Sequence, residues 1–283
     1  MNLKKMSKFP FACTVILSKI VKANQFGLIE KCNLFFVMTS LWLKASISNN
    51  SDNLIQQKVL KFNISAYGYH TLFYLLYEIF LNGVYRFHSD SDRPSIVDCG
   101  ANIGISALYF KYLYPDCKIY CFEPNPSVFK LLKANVKNNN LSGVELFNIA
   151  ISDKESFLDF YVGGEKGSFI SSTNSSRGGT LIQVHSKRMS DIFANQQLDL
   201  IKIDVEGSEW EIIKDLDSSK QLGLSKQYII EYHHNLTVNS ARFGKFLDFF
   251  EKENFEYTMS AEYKNAGDFQ CIMLYVKRSD AMK

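Results

Sequence analysis

The segment SIVDCGANIGISALYF, residues 95–110, constrains the fold of this chain more than any other. It begins with a short apolar run typical of a buried strand, and Asp98 ends that run. Gly100 and Gly104 then enclose a turn that leads into an amphipathic helix. Glycine at the carboxyl end of a parallel strand lets bare backbone approach a ligand closely. The pattern predicts a strand, turn and helix that hold a nucleotide, with Asp98 and Asn102 as polar neighbours.

Length and charge limit the classes of protein to consider. With 283 residues, 46% of them hydrophobic, the chain can bury one large core and carry an extension. Its 32 basic and 29 acidic residues leave a net charge of +3, which does not predict a nucleic-acid partner. We expect a small or neutral ligand instead. The six cysteines lack zinc-like spacing, and we interpret them as buried thiols in a reducing, cytoplasmic compartment.

The first fifty residues raise the question of a membrane. A lysine-rich start followed by FPFACTVIL imitates a secretory signal, but the apolar run is short and lacks an A-x-A cleavage site. The next apolar run, residues 34–43, is too short to cross a bilayer, which needs about 20 residues. It predicts a helix packed on the core or on a second subunit. A basic amphipathic segment resting on a membrane surface is the other interpretation.

A polar segment, NNSDN at residues 49–53, marks the expected domain boundary. It separates an N-terminal helical extension, residues 1–53, from a main domain, residues 54–283. Strands are predicted in the main domain at residues 61–66, 95–97, 118–122, 144–149, 157–162, 180–184, 199–204, 227–233, 255–259 and 269–276, and helices at residues 71–81, 127–138 and 240–252. The Gly- and Ser-rich residues 163–179 predict either a lid or a flexible loop.

Glu123 follows the predicted strand at residues 118–122, about 20 residues after the glycine turn. A carboxylate at that strand tip accepts both hydroxyls of a ribose, so Glu123 is the predicted ribose ligand. A helix-dipole role stays open, because Pro126 begins a helix directly afterwards and a carboxylate is favourable there. The spacing G-x-x-x-G differs from the G-x-G-x-x-G of a pyrophosphate site, which disfavours a dinucleotide.

The predicted strand at residues 199–204 carries charged residues near its carboxyl end. Alternation places Lys202 and Asp204 on one face of that strand. A buried lysine needs an anionic partner, so either Asp204 pairs with Lys202 for structural reasons or both face the reaction site. Glu206 and Glu209 lie in the next turn, where the helix dipole accounts for them.

Glu231 and His233 lie two residues apart near the end of the strand at residues 227–233, and therefore on one face of it. Such a charge pair can hold an imidazole at the crevice where parallel strands end. A purely structural role for His233 is the alternative.

The segments VDCGANIG, CFEPNP, NIAISD and IKIDVEGSEW, preceded by EIFLNGVYRF, resemble the FkbM family of S-adenosylmethionine-dependent methyltransferases. The resemblance extends over residues 64–276 and leaves out the first fifty. It implies an α/β, Rossmann-like class I methyltransferase fold: a seven-stranded, mostly parallel sheet with the last strand antiparallel and helices on both faces. It also implies S-adenosylmethionine as the methyl donor. Because the family is similar to sugar and polyketide O-methylating enzymes, it implies a hydroxyl acceptor, such as a saccharide or related small molecule.

The resemblance also assigns the contacts of the cofactor. By this likeness the methionine and ribose side of the cofactor would be lined by Asp98, Gly100, Asn102 and Gly104. Glu123 would bind the ribose, and Ala150 would lie beside the adenine. Asp204 would lie near the amino group of the cofactor or near the acceptor.

Methyl transfer from a sulfonium to an oxygen requires an in-line arrangement and a group that takes the hydroxyl proton. We hypothesise that His233, oriented by Glu231, takes the proton while Asp204 and Lys202 position the acceptor. A divalent ion shared by Asp204 and Glu231 is the alternative. The sequence DVEG at residues 204–207 stands where nitrogen methyltransferases carry a Pro-Pro-Tyr type turn, which disfavours a nitrogen acceptor.

Two other functional classes use the same fold. An NAD-linked oxidoreductase would share the sheet and the acidic ribose ligand, but the glycine spacing argues against it. A non-catalytic binding module is disfavoured because both Glu123 and Asp204 are present.

Overall fold

Helices and strands alternate through most of the chain, and the computed structural model describes residues 9–48, 53–163, 171–172, 179–194, 196–234, 242–262 and 268–279. The helices are α1 (Phe9–Lys22), α2 (Leu28–Ile47), α3 (Tyr69–Leu76), α4 (Ile105–Leu113), α5 (Pro126–Asn138), α6 (Met189–Ile192), α7 (Glu209–Ser218) and α8 (Phe243–Lys252). A π-helical turn, Tyr77–Leu81, continues α3, and a 3-10 turn spans Leu222–Leu224.

The strands fall into a hairpin and two sheets. They are β1 (Leu54–Val59), β2 (Phe62–Tyr67), β3 (Ser95–Cys99), β4 (Lys118–Phe122), β5 (Val144–Phe147), β6 (Ala150–Ser152), β7 (Ser156–Val162), β8 (Ser171–Ser172), β9 (Thr180–Arg188), β10 (Leu200–Ile203), β11 (Gln227–His234), β12 (Phe255–Ala261) and β13 (Gln270–Arg278). β1 and β2 pair with each other in an antiparallel hairpin.

The main sheet has seven strands in the order β12-β13-β11-β10-β3-β4-β5. β10, β11, β3, β4 and β5 are parallel to their neighbours in that group, whereas β13 runs antiparallel to both β11 and β12. The fold expected from the resemblance, a seven-stranded sheet with its last strand reversed, is therefore confirmed. Parallel strands end at one edge of such a sheet, and that edge is where ligands bind.

Each face of this sheet carries its own hydrophobic core. Ile96 faces the first core, with residues of α4 and α5, while its neighbour Val97 faces the second, with residues of α7 and α8. The central strands are buried on both faces, as strands of parallel sheets are. Local signals fix where the helices start: Pro126 is the first residue of α5, and the Asn125 side chain accepts hydrogen bonds from the next two backbone amides.

The second sheet, in the order β6-β9-β7-β8, was predicted only in part. The antiparallel pairing of β7 with β9 agrees with the predicted strands. The pairing of β6 with β9 was not predicted, because the predicted strand ended at residue 149 and no strand was predicted at residues 150–152. The hairpin strand β1 was also missed. Most of residues 163–179 and of NNSDN, and the first residues of the helix predicted at 240–252, lie outside the described residues.

The two N-terminal helices share the first core with the rest of the chain. Ile16 of α1 and Met38 of α2 are fully buried among side chains of α3 and α4, so the apolar run at residues 34–43 packs on the core. Exposed apolar side chains also occur on both helices, for example Phe11 and Phe36. No helix in the part of the chain that the structure describes combines the length and apolar character needed to span a membrane.

The cysteines differ from one another in exposure. Cys99, Cys117 and Cys121 are buried, as expected, and burial raises their pKa values. Cys13 and Cys271 are only partly buried and Cys32 of α2 is exposed, which corrects the expectation that all six thiols are buried. α2 presents that turn to solvent.

Candidate functional site

A cavity of about 1180 Å³ opens at the edge where the parallel strands end. One wall comes from this sheet edge, including the start of β13, and the facing wall comes from α3 and the π-helical turn. The sheet-edge wall contains the predicted site residues Gly100, Asn102, Glu123, Ala150, Asp204, Glu231 and His233. The cavity is therefore the meeting point of segments that lie far apart in the sequence.

Gly100 is required by a backbone contact as well as by space for a ligand. Its φ is +79°, and a Cβ atom at this position would lie 1.8 Å from the backbone oxygen of Asp204. The amides of Gly100 and Ala101 both donate to the oxygen of Phe122. The Asp204 amide donates to the oxygen of Cys99 at 3.1 Å. The tips of β3, β4 and β10 are thus joined directly through their backbones.

Glu123 lies at the tip of β4 and lines the cavity beside this turn. Its Oε2 accepts from the amide of Asn102 at 3.0 Å, and its Oε1 accepts from the amide of Asn125 at 2.8 Å. Burial raises the pKa of Glu123 to about 7, although these two hydrogen bonds act in the opposite direction. Asn102 itself has a φ of +50°, which turns its amide towards the carboxylate.

Two of the predicted cofactor residues do not line the cavity. Gly104, with a φ of +89°, precedes α4, and a Cβ there would lie 2.7 Å from a methyl group of Leu132. Gly104 therefore allows the start of α4 to pack closely against Leu132 of α5. Asp98 is fully buried on β3 beneath the turn.

Asp98 and Lys202 form a buried ion pair below the cavity. Their charged atoms lie 3.1 Å apart, whereas Lys202 Nζ is 3.7 Å from Asp204. Lys202 also donates to the oxygen of Gly100 at 2.7 Å, and the Ser106 hydroxyl donates to Asp98. Burial lowers the pKa of Lys202, but attraction to Asp98 and then Asp204 outweighs it, so the pKa lies above its ordinary value. Lys202 is a fixed ammonium that holds the glycine turn.

Asp204 faces the cavity and accepts a hydrogen bond from the Tyr85 hydroxyl at 2.9 Å. The Lys202 ammonium lies 5.1 Å from the centre of the Tyr85 ring. Burial, and then the charge of Asp204, raise the pKa of Tyr85 well above its ordinary value, so it remains a neutral donor. Sequence reasoning did not assign Tyr85 to the site, because 119 positions separate it from Asp204.

His233 has partners other than the one expected. Its Nδ1 lies 2.9 Å from Glu209 and its Nε2 lies 3.0 Å from Glu206, whereas Glu231 is 4.0 Å from Nε2. Burial lowers the pKa of His233, but attraction to Glu209 and hydrogen bonds outweigh it, and the pKa lies well above its ordinary value. Without another ligand the ring is an imidazolium with both nitrogens engaged. Glu206 and Glu209, attributed to the helix dipole, therefore belong to the site.

Glu231 lines the cavity near Asp204. Burial raises the pKa of Glu231 to about 8, and repulsion by Asp204 adds to this rise, while the charge of His233 opposes it. Among the described residues, two groups of side chains could hold a metal ion: Asp204, Glu206 and His233, and Glu231, His233 and Cys271.

Comparison with known proteins gives a family and several relatives. The methyltransferase FkbM domain matches residues 98–257, more than half of the chain. Methyltransferase sdnD of Sordaria araneosa is 31% identical over 173 residues, which cover 50% of this chain and 67% of that protein. Methyltransferase 1 of Beauveria bassiana is 27% identical over 224 residues, covering 71% of this chain and 88% of that protein. The 2-O-methyltransferase NoeI of Sinorhizobium fredii is 29% identical over 138 residues, covering 42% of this chain and 56% of that protein.

Proposed function

Since this chain belongs to the FkbM methyltransferase domain family, we propose that it transfers a methyl group from S-adenosylmethionine to a hydroxyl oxygen of a saccharide or related small molecule. The observation that carries the proposal is the placement of Glu123. Its carboxylate lines the cavity, next to the glycine turn, at the tip of the strand beside β3. That is the position from which an acidic side chain accepts ribose hydroxyls in nucleotide-binding sheets.

The proposed cofactor contacts follow the sheet edge. Each oxygen of Glu123 accepts one backbone amide and keeps a lone pair that can accept a ribose hydroxyl. Ala150 lines the cavity on the side where the adenine would lie, and Gly100 and Asp204 line the side where the methionine would lie. The proposed roles of Asp98 and Lys202 are indirect, because they hold the turn from below.

Negative charge at the far end of the cavity suits the positively charged sulfonium. Asp204, Glu206 and Glu231 all line this part of the cavity, and carboxylates in a partly buried site attract a cation more strongly than they do in water. We place the reacting methyl group near Asp204, at the boundary between the two walls.

During transfer the sulfur–methyl bond breaks and an oxygen–methyl bond forms, which leaves neutral S-adenosylhomocysteine and a proton from the hydroxyl. His233 was the expected base, but both of its nitrogens are engaged by carboxylates. A base needs a free lone pair within hydrogen-bonding reach of the acceptor. Glu231 meets this condition better, since its carboxylate lines the cavity and lies 4.0 Å from His233 Nε2. In this proposal His233 positions Glu231, and Tyr85 positions Asp204.

An oxygen acceptor is supported by two observations. The DVEG segment follows β10 in place of a Pro-Pro-Tyr type turn, and one relative is a 2-O-methyltransferase by name. The facing wall of the cavity also combines aromatic and polar side chains, among them Tyr74, Glu78 and Asn82. Such a mixture suits an acceptor that has both ring faces and hydroxyl groups.

Calorimetry with S-adenosylmethionine, S-adenosylhomocysteine and NAD tests the cofactor. We expect heat from the first two only. Glu123→Gln should weaken their binding about tenfold or more, since a charge-assisted hydrogen bond contributes about 1.5–3 kcal/mol. Glu145→Gln is the matched control, because Glu145 lies on the neighbouring strand, is half-exposed and pairs with Lys118 outside the cavity.

The pH dependence of this binding gives a second readout. The pKa of Glu123 is raised to about 7, so the folded protein without ligand carries a proton on this carboxyl at lower pH. A neutral carboxyl accepts ribose hydroxyls less strongly, and affinity should therefore rise as the pH increases through about 7. Glu123→Gln should lose this dependence. Absence of heat for both sulfur compounds at every pH would overturn the proposal.

A further inference from the structure

Two carboxylates and one imidazole converge at one end of the cavity. Asp204 and Glu206 follow β10, and His233 lies near the end of β11, yet one ligand atom from each lies within 4.8 Å of the others. Ligands of a single transition-metal ion, bound at about 2.1 Å, span up to about 4.2 Å. Small rotations of the two carboxylates, whose side chains are 23% and 24% exposed, would bring the ligand atoms within that span.

Glu209 holds His233 in the orientation that a metal ligand needs. It lies on the opposite side of the ring from the cluster, with Oε1 2.9 Å from Nδ1. Both Glu209 and His233 are buried, so the ring has little freedom to turn. A carboxylate that accepts a hydrogen bond from Nδ1–H keeps the proton on Nδ1 and so fixes the tautomer whose Nε2 lone pair points at the ion. The Nε2 atom is the one that faces Glu206, at 3.0 Å.

The charges around the ring also favour a cation. Asp204, Glu206, Glu209 and Glu231 surround one imidazole. The Lys202 ammonium approaches Asp204 but is closer to Asp98 than to Asp204. Carboxylates that are partly removed from water are stabilised when a cation lies among them.

We propose that Asp204, Glu206 and His233 bind a divalent first-row transition-metal ion, with Glu209 as the positioning residue behind His233. One imidazole and two carboxylates suit Mn²⁺, Fe²⁺ or Zn²⁺ better than Ca²⁺ or Mg²⁺, which prefer oxygen ligands alone. A histidine ligand is neutral, so the ion takes the place of the Nε2 proton.

The position of this site gives the ion a role in the proposed methyl transfer, and that role, unlike the binding itself, rests on the proposed function. The three ligands line the part of the cavity where the acceptor hydroxyl would lie. An ion there would supply a Lewis acid that holds and polarises the acceptor oxygen. Glu123 and the glycine turn, which would hold the cofactor, do not contact the ion; of its three ligands only Asp204 would also lie beside the methionine.

Binding of Mn²⁺ to the chelator-treated chain tests the proposal without any substrate. The electron paramagnetic resonance signal of free Mn²⁺ should fall by one ion per chain in wild-type protein, and a tenfold excess of Mg²⁺ should not restore it. His233→Ala and Glu206→Gln should each weaken binding at least tenfold. Glu209→Gln should weaken it about 10–100-fold, as loss of a carboxylate behind a histidine ligand does.

His185→Ala is the matched control, because His185 pairs with Glu155 on the second sheet, away from the cavity. It should bind Mn²⁺ as the wild-type chain does. Circular dichroism shows which variants fold, and Glu206→Gln changes a partly exposed side chain in a loop, so it keeps the test valid if His233→Ala unfolds. No saturable binding to the wild-type chain, or equal binding by all folded variants, would overturn the proposal.

Calorimetry with S-adenosylmethionine on the same chelated protein separates this inference from the proposed function. If the chain binds the cofactor but no Mn²⁺, the proposed metal site would be overturned and the proposed function would stand. A Mn²⁺ site without cofactor binding would overturn the proposed function and leave the metal site standing.

Discussion

At the scale of single residues, Gly100 shows how a backbone contact restricts the site. Its φ of +79° and the 1.8 Å that would separate a Cβ from the Asp204 oxygen leave no room for any side chain. We expect Gly100→Ala to lower the free energy of unfolding by at least about 2 kcal/mol, because β3 and β10 must move apart. Thermal unfolding measures this loss.

Gly244→Ala provides the comparison for that measurement. Gly244 lies in α8, and a Cβ there would meet no atom within 4 Å. Alanine is the better helix former by up to about 1 kcal/mol, so this variant should be as stable as the wild type or slightly more stable. Equal losses in the two variants would contradict the proposed contact.

Residues joined by one local motif could be predicted from the sequence, and residues joined only by the fold could not. Gly100 and Glu123 belong to a strand-turn-helix-strand unit whose spacing is readable. Tyr85 and Glu209 act on Asp204 and His233 across many residues, and nothing in their local sequence indicates those contacts. Lys202 and Asp204 were correctly placed on one face, but alternation cannot tell that Asp98 is the closer partner of Lys202.

At the scale of elements, Asn135 of α5 ties the hairpin to the glycine turn. It is fully buried; its Nδ2 donates to the oxygens of Ser65 and Ile103, and its Oδ1 accepts from the Ser65 amide. Asn135→Ala leaves these groups without partners, and we expect a loss of about 3 kcal/mol in the free energy of unfolding. Chemical denaturation measures this loss.

Asn139, one turn later in the chain, is the control for Asn135. It makes the same three kinds of bond, to the amide and oxygen of Asn63 and to the oxygen of Asn135, but near solvent. Water can replace these bonds, so Asn139→Ala should cost less than about 1 kcal/mol. Similar losses at both positions would show that burial is not what gives Asn135 its importance.

The elements of the main sheet were predictable because their apolar runs are short, regular and separated by helices. The strands of the second sheet were less predictable. β6 begins three residues after β5 ends, and a run of mostly apolar residues does not reveal that the chain leaves one sheet and enters another. β1 was missed because LIQQKV has too few apolar residues to signal a strand without its partner.

At the scale of the whole molecule, the two cores share one sheet, and the N-terminal helices belong to the first core. Each core has its own tryptophan: Trp42 of α2 in the first, and Trp210 of α7 packed against the second. The predicted boundary at residue 53 separates these helices, as an extension, from the main domain. Because they are buried in the same core as α3 and α4, we expect them to unfold with the rest of the chain.

Met38→Ala tests this cooperativity. Met38 is fully buried, and its truncation should cost about 2–5 kcal/mol. In single-tryptophan variants that keep either Trp42 or Trp210, both fluorescence transitions should shift together to lower denaturant concentration. Phe36→Ala is the control, because Phe36 lies in the same helix and is 72% exposed. A shift of the Trp42 transition alone would establish the extension as an independent domain.

The two walls of the cavity differ in what a change of sequence would disturb. The sheet-edge wall consists of strand tips fixed to one another by backbone contacts, whereas the facing wall is built from α3 and the π-helical turn. If the chain acts as we propose, exchange of the α3 and π-helical segments with those of related methyltransferases should change the choice of acceptor and leave binding of the methyl donor unaffected. Grafting experiments on this scaffold should begin at Tyr74 and Asn82, and leave the tips of β3, β4 and β10 intact.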